Sequence, residues 1–307
     1  MRSPRIGIVG AGNVGAAAAA AIGARGLPDV HLYDVVADVA VGKAMDINQA
    51  SCFFQTDSRV VACASLAGLG GSDILVLTAG APRRAGMQRK DLLRENLDVL
   101  DAICGELLPL CPGAKVLVVT NPVDILTSHL SRQWPGAAIF GLGCCLDAAR
   151  FRYFLARAAG VAINSVSGTV IGTHDDHMLP LVRHATIGGL PAEAVLSLAC
   201  LRGVVADTRQ AGAEIVRRLK TRGSHYAASH CIAELVEAMA RDLHEVFPVS
   251  VRCEGAYGYS DACLALPAKI GATGVEGIVE MPLDDAERAA LDTCAAEVEA
   301  SLELLAE

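Results

Sequence analysis

The run Gly10-Ala11-Gly12-Asn13-Val14-Gly15 narrows what this chain can fold into more than any other stretch. It follows a short β-branched run, residues 5–9, and opens an alanine-rich helical run, residues 16–25. The first glycine permits a tight turn, the second lets backbone approach a pyrophosphate, and the third lets helix and strand pack closely. A helix beginning there turns its free amide donors toward phosphate oxygens. Glycine triplets are common in turns, so the flanking pattern carries the reading. Asp34, at the end of the next strand-like run (residues 30–33), agrees with it. Asp34 is placed to accept hydrogen bonds from the hydroxyls of an adenosine ribose; alternatively it caps the helix that follows. Its charge repels a 2′-phosphate, and no arginine follows in Asp34-Val35-Val36, so NAD is favoured over NADP.

Beyond this turn, the first half alternates β-branched runs (residues 60–62, 74–78, 115–120 and 138–140) with helical stretches such as 91–108. That rhythm predicts an α/β fold with a doubly wound parallel sheet, residues 1–144. The alanines of residues 16–21 suit a first helix pressed close to that sheet. After residue 145 the rhythm changes. A helix is expected near 147–159, then two strand-like runs, then long helices near 206–221 and 227–243. A meander over 249–279 has turn signals at Gly255, Gly258 and Gly274, and an amphipathic helix over 284–305 ends the chain. Residues 145–307 therefore read as an α+β catalytic or substrate-binding domain, with a ligand cleft against the first.

Hydrophobic residues make up 52% of the 307 and charged residues 20%, enough to build a sizeable core. A net charge of -8 argues against general affinity for nucleic acid or anionic lipid, so an anionic substrate needs a local basic patch. No apolar leader with a cleavage site is visible, and the longest apolar runs fall short of a membrane span. The eleven cysteines are odd in number and lack any C-x-x-C. Cys104, Cys111 and Cys200 sit in apolar segments, which suits buried thiols in a reducing, cytoplasmic setting and makes a structural metal site improbable.

Three further segments carry chemistry. Asp147 and Arg150 lie three apart near a helix start and so share a face, and an arginine fork suits a carboxylate. His174, in Gly172-Thr173-His174-Asp175-Asp176, lies in a loop after a strand, where a carboxylate such as Asp147 would orient it as a proton shuttle. Taken singly, His174 suits a structural role equally, and Asp147 with Arg150 a surface pair. The segment from Gly80 to Lys90 is unusually basic and glycine-bearing, either a mobile lid or a solvated loop. Asn121, in Thr120-Asn121-Pro122-Val123-Asp124, either donates from a cleft edge or opens the next turn.

Together these residues resemble the malate/lactate dehydrogenase family, nearly end to end. The likeness includes Leu32-Tyr33-Asp34, Thr78-Ala79-Gly80, Thr120-Asn121-Pro122, Leu146-Asp147-Ala148-Ala149-Arg150-Phe151, His174 and Tyr257-Gly258-Tyr259. The resemblance implies a Rossmann fold and a reversible, NAD-dependent oxidation of a 2-hydroxy acid by a homodimer or homotetramer. His174 would carry the proton, with Asp147 holding it. Arg150 would bind the C1 carboxylate, Arg89 would polarise the carbonyl, and Asn121 would place substrate and nicotinamide. Gly10, Gly12, Asn13, Val14, Gly15, Asp34, Thr78, Ala79, Gly80, Asn96 and Asn121 would surround the cofactor. Arg83 is the malate signature, where lactate enzymes tend to carry Gln; Arg84 is its neighbouring alternative. A second guanidinium pairs with the distal carboxylate of oxaloacetate, whereas pyruvate would leave it unpaired.

Lactate, another 2-hydroxy acid, or a catalytically silent NAD-binding protein are the competing readings. The chain also departs from the family. Asp175 stands where a glycine is usual, which predicts a left-handed residue or a shifted loop. Ala85 stands where proline is common, and His225 falls near a pocket-wall position that is typically small. His174 and His177 with the two aspartates would make a metal site only if they converged.

Overall fold

The computed structural model describes residues 3–81, 89–220 and 223–306. Its first half runs β1 (Ile6–Val9), α1 (Asn13–Ala24), β2 (Val30–Tyr33), α2 (Ala37–Phe54), β3 (Val60–Cys63), β4 (Ile74–Leu77), α3 (Arg89–Leu110), β5 (Lys115–Val118), α4 (Val123–Gln133) and β6 (Ala138–Gly141). These six strands are mutually parallel, in the spatial order 3-2-1-4-5-6. The order reverses between β1 and β4, and ligands of such sheets bind in the crevice at the carboxyl ends there.

The strands are apolar throughout because helices cover both faces of the sheet. On one face Ile6, Ile8, Val76, Leu117 and Phe140 join one core. On the other, Val9, Leu75, Leu77, Val116 and Val118 join a second. Residues 16–21 behave as expected. Ala16, Ala18, Ala19 and Ala21 are buried, and Ala18, Ala19 and Ala21 share one core with Ile6, Ile8 and Val30 of the sheet.

The second half begins with α5 (Cys145–Ala159). Short strands follow: β7 (Val166–Ser167), β8 (Val170–Ile171), β9 (Leu179–Pro180), β10 (Thr186–Ile187) and β11 (Leu190–Pro191). Then come α6 (Ala192–Val195), α7 (Leu198–Leu219), α8 (Tyr226–Arg241), β12 (Glu245–Arg252), β13 (Cys263–Gly271), β14 (Gly274–Ile278) and α9 (Asp285–Ala306). The expected meander is β12 to β14, but it builds no separate sheet. It extends the first half's sheet to nine strands, joined antiparallel through the pair Ser250 and Gly141.

That seam is tight. A Cβ at Gly141 would lie 2.4 Å from Thr127 Oγ1 and 2.9 Å from both Ser250 Cβ and Val123 Cγ2. Overpacking of this kind costs about 1–3 kcal/mol. Gly141→Ala is accordingly expected to lower the urea midpoint of unfolding, with the slope unchanged; an unaltered midpoint would mean that the seam has room.

Candidate active site

The glycine-rich turn sits at the strand-order reversal. Gly10 has φ +103°, and a Cβ at Gly15 would fall 1.9 Å from the Gly10 carbonyl oxygen, so that helix start tolerates no side chain. Gly12, by contrast, faces open space and is exposed, as is Asn13. The first-turn amides of α1 thus remain available to an anion. Asp34 leaves β2 and accepts from Ala11 N–H at 2.7 Å and Val36 N–H at 2.9 Å. Each carboxylate oxygen has a second lone pair, so the group retains capacity for two hydroxyls. An open glycine cradle at a helix start, with an acidic acceptor beside it, fits an adenine dinucleotide carrying free ribose hydroxyls.

The opposite wall comes from the ends of β4 and β5. The Thr78 hydroxyl lies 3.0 Å from Val9 O and 3.1 Å from Gly10 O, which ties β4 to the turn. A Cβ at Gly80 would meet Thr120 Cγ2 at 2.8 Å. Asn96 is buried on α3. It accepts from Ala81 N–H at 2.7 Å and donates to the Asn121 carbonyl at 2.8 Å, clamping two loops together. Val14 and Ala79 are half-buried, and Asn121 is exposed at the end of β5.

The titratable centre lies where α5, α4 and the loop after β8 converge. Asp147, in the first turn of α5, is fully buried. Its Oδ1 receives Arg150 Nη1 at 3.0 Å and its Oδ2 faces His174 Nδ1 at 2.5 Å. The expected pairing is therefore present in the fold. Gly212 of α7 lies beside Arg150, where a Cβ would be in ordinary contact with the guanidinium at 3.4 Å. A cavity of about 730 Å³, lined in part by Pro122, Asp124, Thr173, His174 and Leu305, opens beside this centre. That volume suits a small-molecule site.

Burial alone would push the Asp147 carboxyl up, but the charge and hydrogen bond of His174, with Arg150, hold it below its ordinary value. Burial likewise works against a charged His174. Asp147 first and then Asp124 overcome it, so the imidazole binds its proton more firmly than usual.

Of the two alternatives expected at Asp175, the left-handed one is not realised. The Asp175 Oδ1 instead accepts from His177 N–H and from the Thr173 hydroxyl, both at 2.8 Å, so a side-chain turn replaces the glycine conformation. His177 turns away and pairs with Glu297 of α9 at 3.1 Å, and does not converge with His174. His225 is half-buried at the start of α8 and stacks on Tyr226. Arg83, Arg84 and Ala85 lie outside the described residues, as does the side chain of Arg89, whose backbone opens α3.

One residue that the sequence reading left without a role stands out. Asp124 in the first turn of α4 is buried, and its Oδ2 accepts the main-chain N–H of His174 at 2.7 Å. Its only sequence signal is an acid in a helix's first turn, directly after the strand-end Asn121-Pro122.

Two family models divide the chain. The lactate/malate dehydrogenase NAD binding domain matches residues 4–139, and the lactate/malate dehydrogenase alpha/beta C-terminal domain matches residues 144–307. A malate dehydrogenase of Roseiflexus sp. (strain RS-1) is 39% identical over 305 residues, covering 98% of each chain. One from Desulforudis audaxviator is 38% identical and covers 95% of each. Among solved structures, the malate dehydrogenase of Salinibacter ruber has TM-score 0.92 at 31% identity, covering 98% of this chain and 97% of its own. The lactate dehydrogenase of Cryptosporidium parvum, complexed with lactic acid and the cofactor b-nicotinamide adenine dinucleotide, has TM-score 0.94 at 31% identity. It covers 100% of this chain and 99% of its own.

The pair of Asp147 and His174 makes a stability prediction with two sides. The depressed Asp147 contributes above the ordinary carboxylate value of 3.8 and loses that contribution as pH falls. The raised His174 contributes below 6.5 and loses its share as pH climbs through its elevated value. Asp147→Asn should therefore cost about 1–3 kcal/mol in the window between them, and less on either side. Urea unfolding across pH measures it; a cost independent of pH would contradict the ionic pairing.

Proposed function

The chain belongs to the lactate/malate dehydrogenase family, and on that premise we propose how its own side chains interconvert (S)-malate and oxaloacetate. It is an NAD-dependent malate dehydrogenase. One observation carries the reading: a buried carboxylate shared between a guanidinium and an imidazole, His174, which itself lines a cavity of about 730 Å³.

Bound NAD would supply the acceptor for the hydride that leaves C2 of malate. Gly10, Gly12, Asn13, Val14, Gly15 and Asp34 would hold its adenosine and phosphates, and Thr78, Ala79, Gly80, Asn96 and Asn121 would line its other end. His174 does the proton work. With Nδ1–H donating to Asp147, the lone pair of the neutral ring lies on Nε2, which accepts the C2 hydroxyl proton. The imidazolium so formed is stabilised by Asp147, and in oxaloacetate reduction it returns the proton to the carbonyl oxygen. Arg150 has further donors for the C1 carboxylate besides the one spent on Asp147. Arg89 polarises the carbonyl, and Arg83 pairs with the distal carboxylate.

The substrate test is Arg83→Gln. Losing one partner of a desolvated charge pair costs about 2–5 kcal/mol, so kcat/KM for oxaloacetate should fall by roughly 30-fold or more. Turnover of pyruvate should change little or rise. Wild-type enzyme preferring pyruvate would overturn the malate reading, and undiminished turnover by His174→Asn would overturn the proton role.

The same reading gives a homodimer or a homotetramer. Its support is the outer surface of α2, where Val41, Met45 and Phe53 are 46%, 58% and 86% exposed, an apolar face suited to a second copy of the chain. Light scattering should report a multiple of 31.8 kDa, and a stable monomer would refute it. A cytoplasmic enzyme of the tricarboxylic acid cycle is consistent with eleven free thiols, most of them buried.

A further inference from the structure

We propose that Asp124 is a positioning residue of the proton-transfer centre: it fixes the main chain of His174, and its buried carboxylate sets how firmly the imidazole holds the transferred proton. The inference rests on His174 as the proton carrier.

The position is built for contact with that loop. Asp124 stands in the first turn of α4, where a helix favours negative charge, and its Oδ2 takes the His174 N–H at 2.7 Å. Only half of the carboxylate is used. Oδ1 is buried and closes no hydrogen bond among the described residues, nor do Thr127 Oγ1 of the same helix and Ser250 Oγ of β12, although the Ser250 hydroxyl stands near enough to favour the ionised carboxylate. Thr127 and Ser250 converge on the space above Gly141, at the seam of the sheet.

A group needed only to accept one N–H would do so as an amide, without the cost of burying charge. The carboxylate instead sits between its two protonation states. Burial pushes it up to about 6, against the opposing pull of the His174 N–H, the Ser250 hydroxyl and the His174 ring. Ionised Asp124 in turn favours the charged imidazole, second only to Asp147 among the groups that do so.

The neighbours leave few other candidates for this coupling. Facing Asp124 are His174 and Asp175 from the loop, Cys144 from α5, Ser250 from β12, Cys263 from β13 and Cys294 from α9, while Asp147 and Arg150 of α5 act on the His174 ring, the guanidinium against its charge. Burial keeps the three thiols protonated: Cys144 well above its ordinary value, Cys263 pushed to about 11, and Cys294 also raised. Asp147 is committed as an anion. Asp124 and His174 are thus the two groups in direct contact here that are both held above their ordinary values.

The sign follows. Malate oxidation requires the neutral imidazole, so removing the Asp124 charge lets the ring release its proton at lower pH, and the acid limb of kcat/KM moves down. Asp124→Asn keeps both an acceptor for the His174 N–H and the side-chain shape. Ser250→Ala keeps the charge but removes a hydroxyl that favours the ionised form, so it should move the limb the same way by less.

The experiment measures kcat/KM for malate with NAD between about pH 5 and pH 9 in wild type, Asp124→Asn, Ser250→Ala and His174→Asn. NADH binding by fluorescence reports folding of each. Relative to its own plateau, Asp124→Asn should be about threefold more active than wild type on the acid limb, with Ser250→Ala between them. Should Asp124→Asn fail to bind NADH, the Ser250→Ala limb decides. A wild-type limb that neither variant moves overturns the role of Asp124 alone. Full activity in His174→Asn overturns the proton assignment, and this inference with it.

Discussion

A carboxylate with no exposure to solvent has to be paired, and the rest of the centre is arranged around that necessity at Asp147. Its two oxygens point to different elements. One holds Arg150, a turn further along α5, and the other holds His174 across the fold. His174 is also fixed from behind, through its own N–H to Asp124 of α4. A single buried charge thereby aligns a proton carrier and a carboxylate binder, and a mispositioned loop would leave that charge unpaired. Breaking a buried pair in this way costs several kcal/mol, about 3–5 in measured cases.

The sheet explains how residues so far apart in sequence meet. Parallel strands send all their following loops to one edge, so the glycine turn after β1, Asp34 after β2, Gly80 after β4 and Asn121 after β5 share a rim. The antiparallel extension through Ser250 and Gly141 brings β12 alongside β6 with β13 next beyond it, and the main-chain bonds between Gly172 and Ala265 then carry the His174 loop to that rim. The second half thus completes the first half's crevice by continuing its sheet.

Much of this was legible in the sequence because the determinants are local. Residues 30–33 are β2 as expected, and the other early strands fall within two residues of their expected ends, since apolar runs between helical segments leave little choice. That Asp147 and Arg150 share a face was readable from helical spacing, but not that the pair is buried rather than on the surface. The pairing of His174 with Asp147 rested on family likeness, since 27 residues separate them and no spacing rule reaches that far. Asp124 was invisible as a functional group because its significance is a long-range contact, 50 residues away, with a main-chain N–H. Asp175 misled because a missing glycine suggests a left-handed residue, whereas an aspartate can close the same turn with its side chain. The joining of the C-terminal meander to the first sheet is likewise a tertiary fact, decided by the fit of Ser250 over a residue without a side chain.

Asp147 fixes one tautomer of His174 and strengthens its hold on a proton. The most direct measurement is a nitrogen-15 titration of the His174 ring in the enzyme, assigned by comparison with a variant lacking that histidine. The account predicts a neutral form protonated at Nδ1, with the ring titrating above its ordinary value of 6.5. A neutral ring protonated at Nε2, or one titrating below that value, would contradict it.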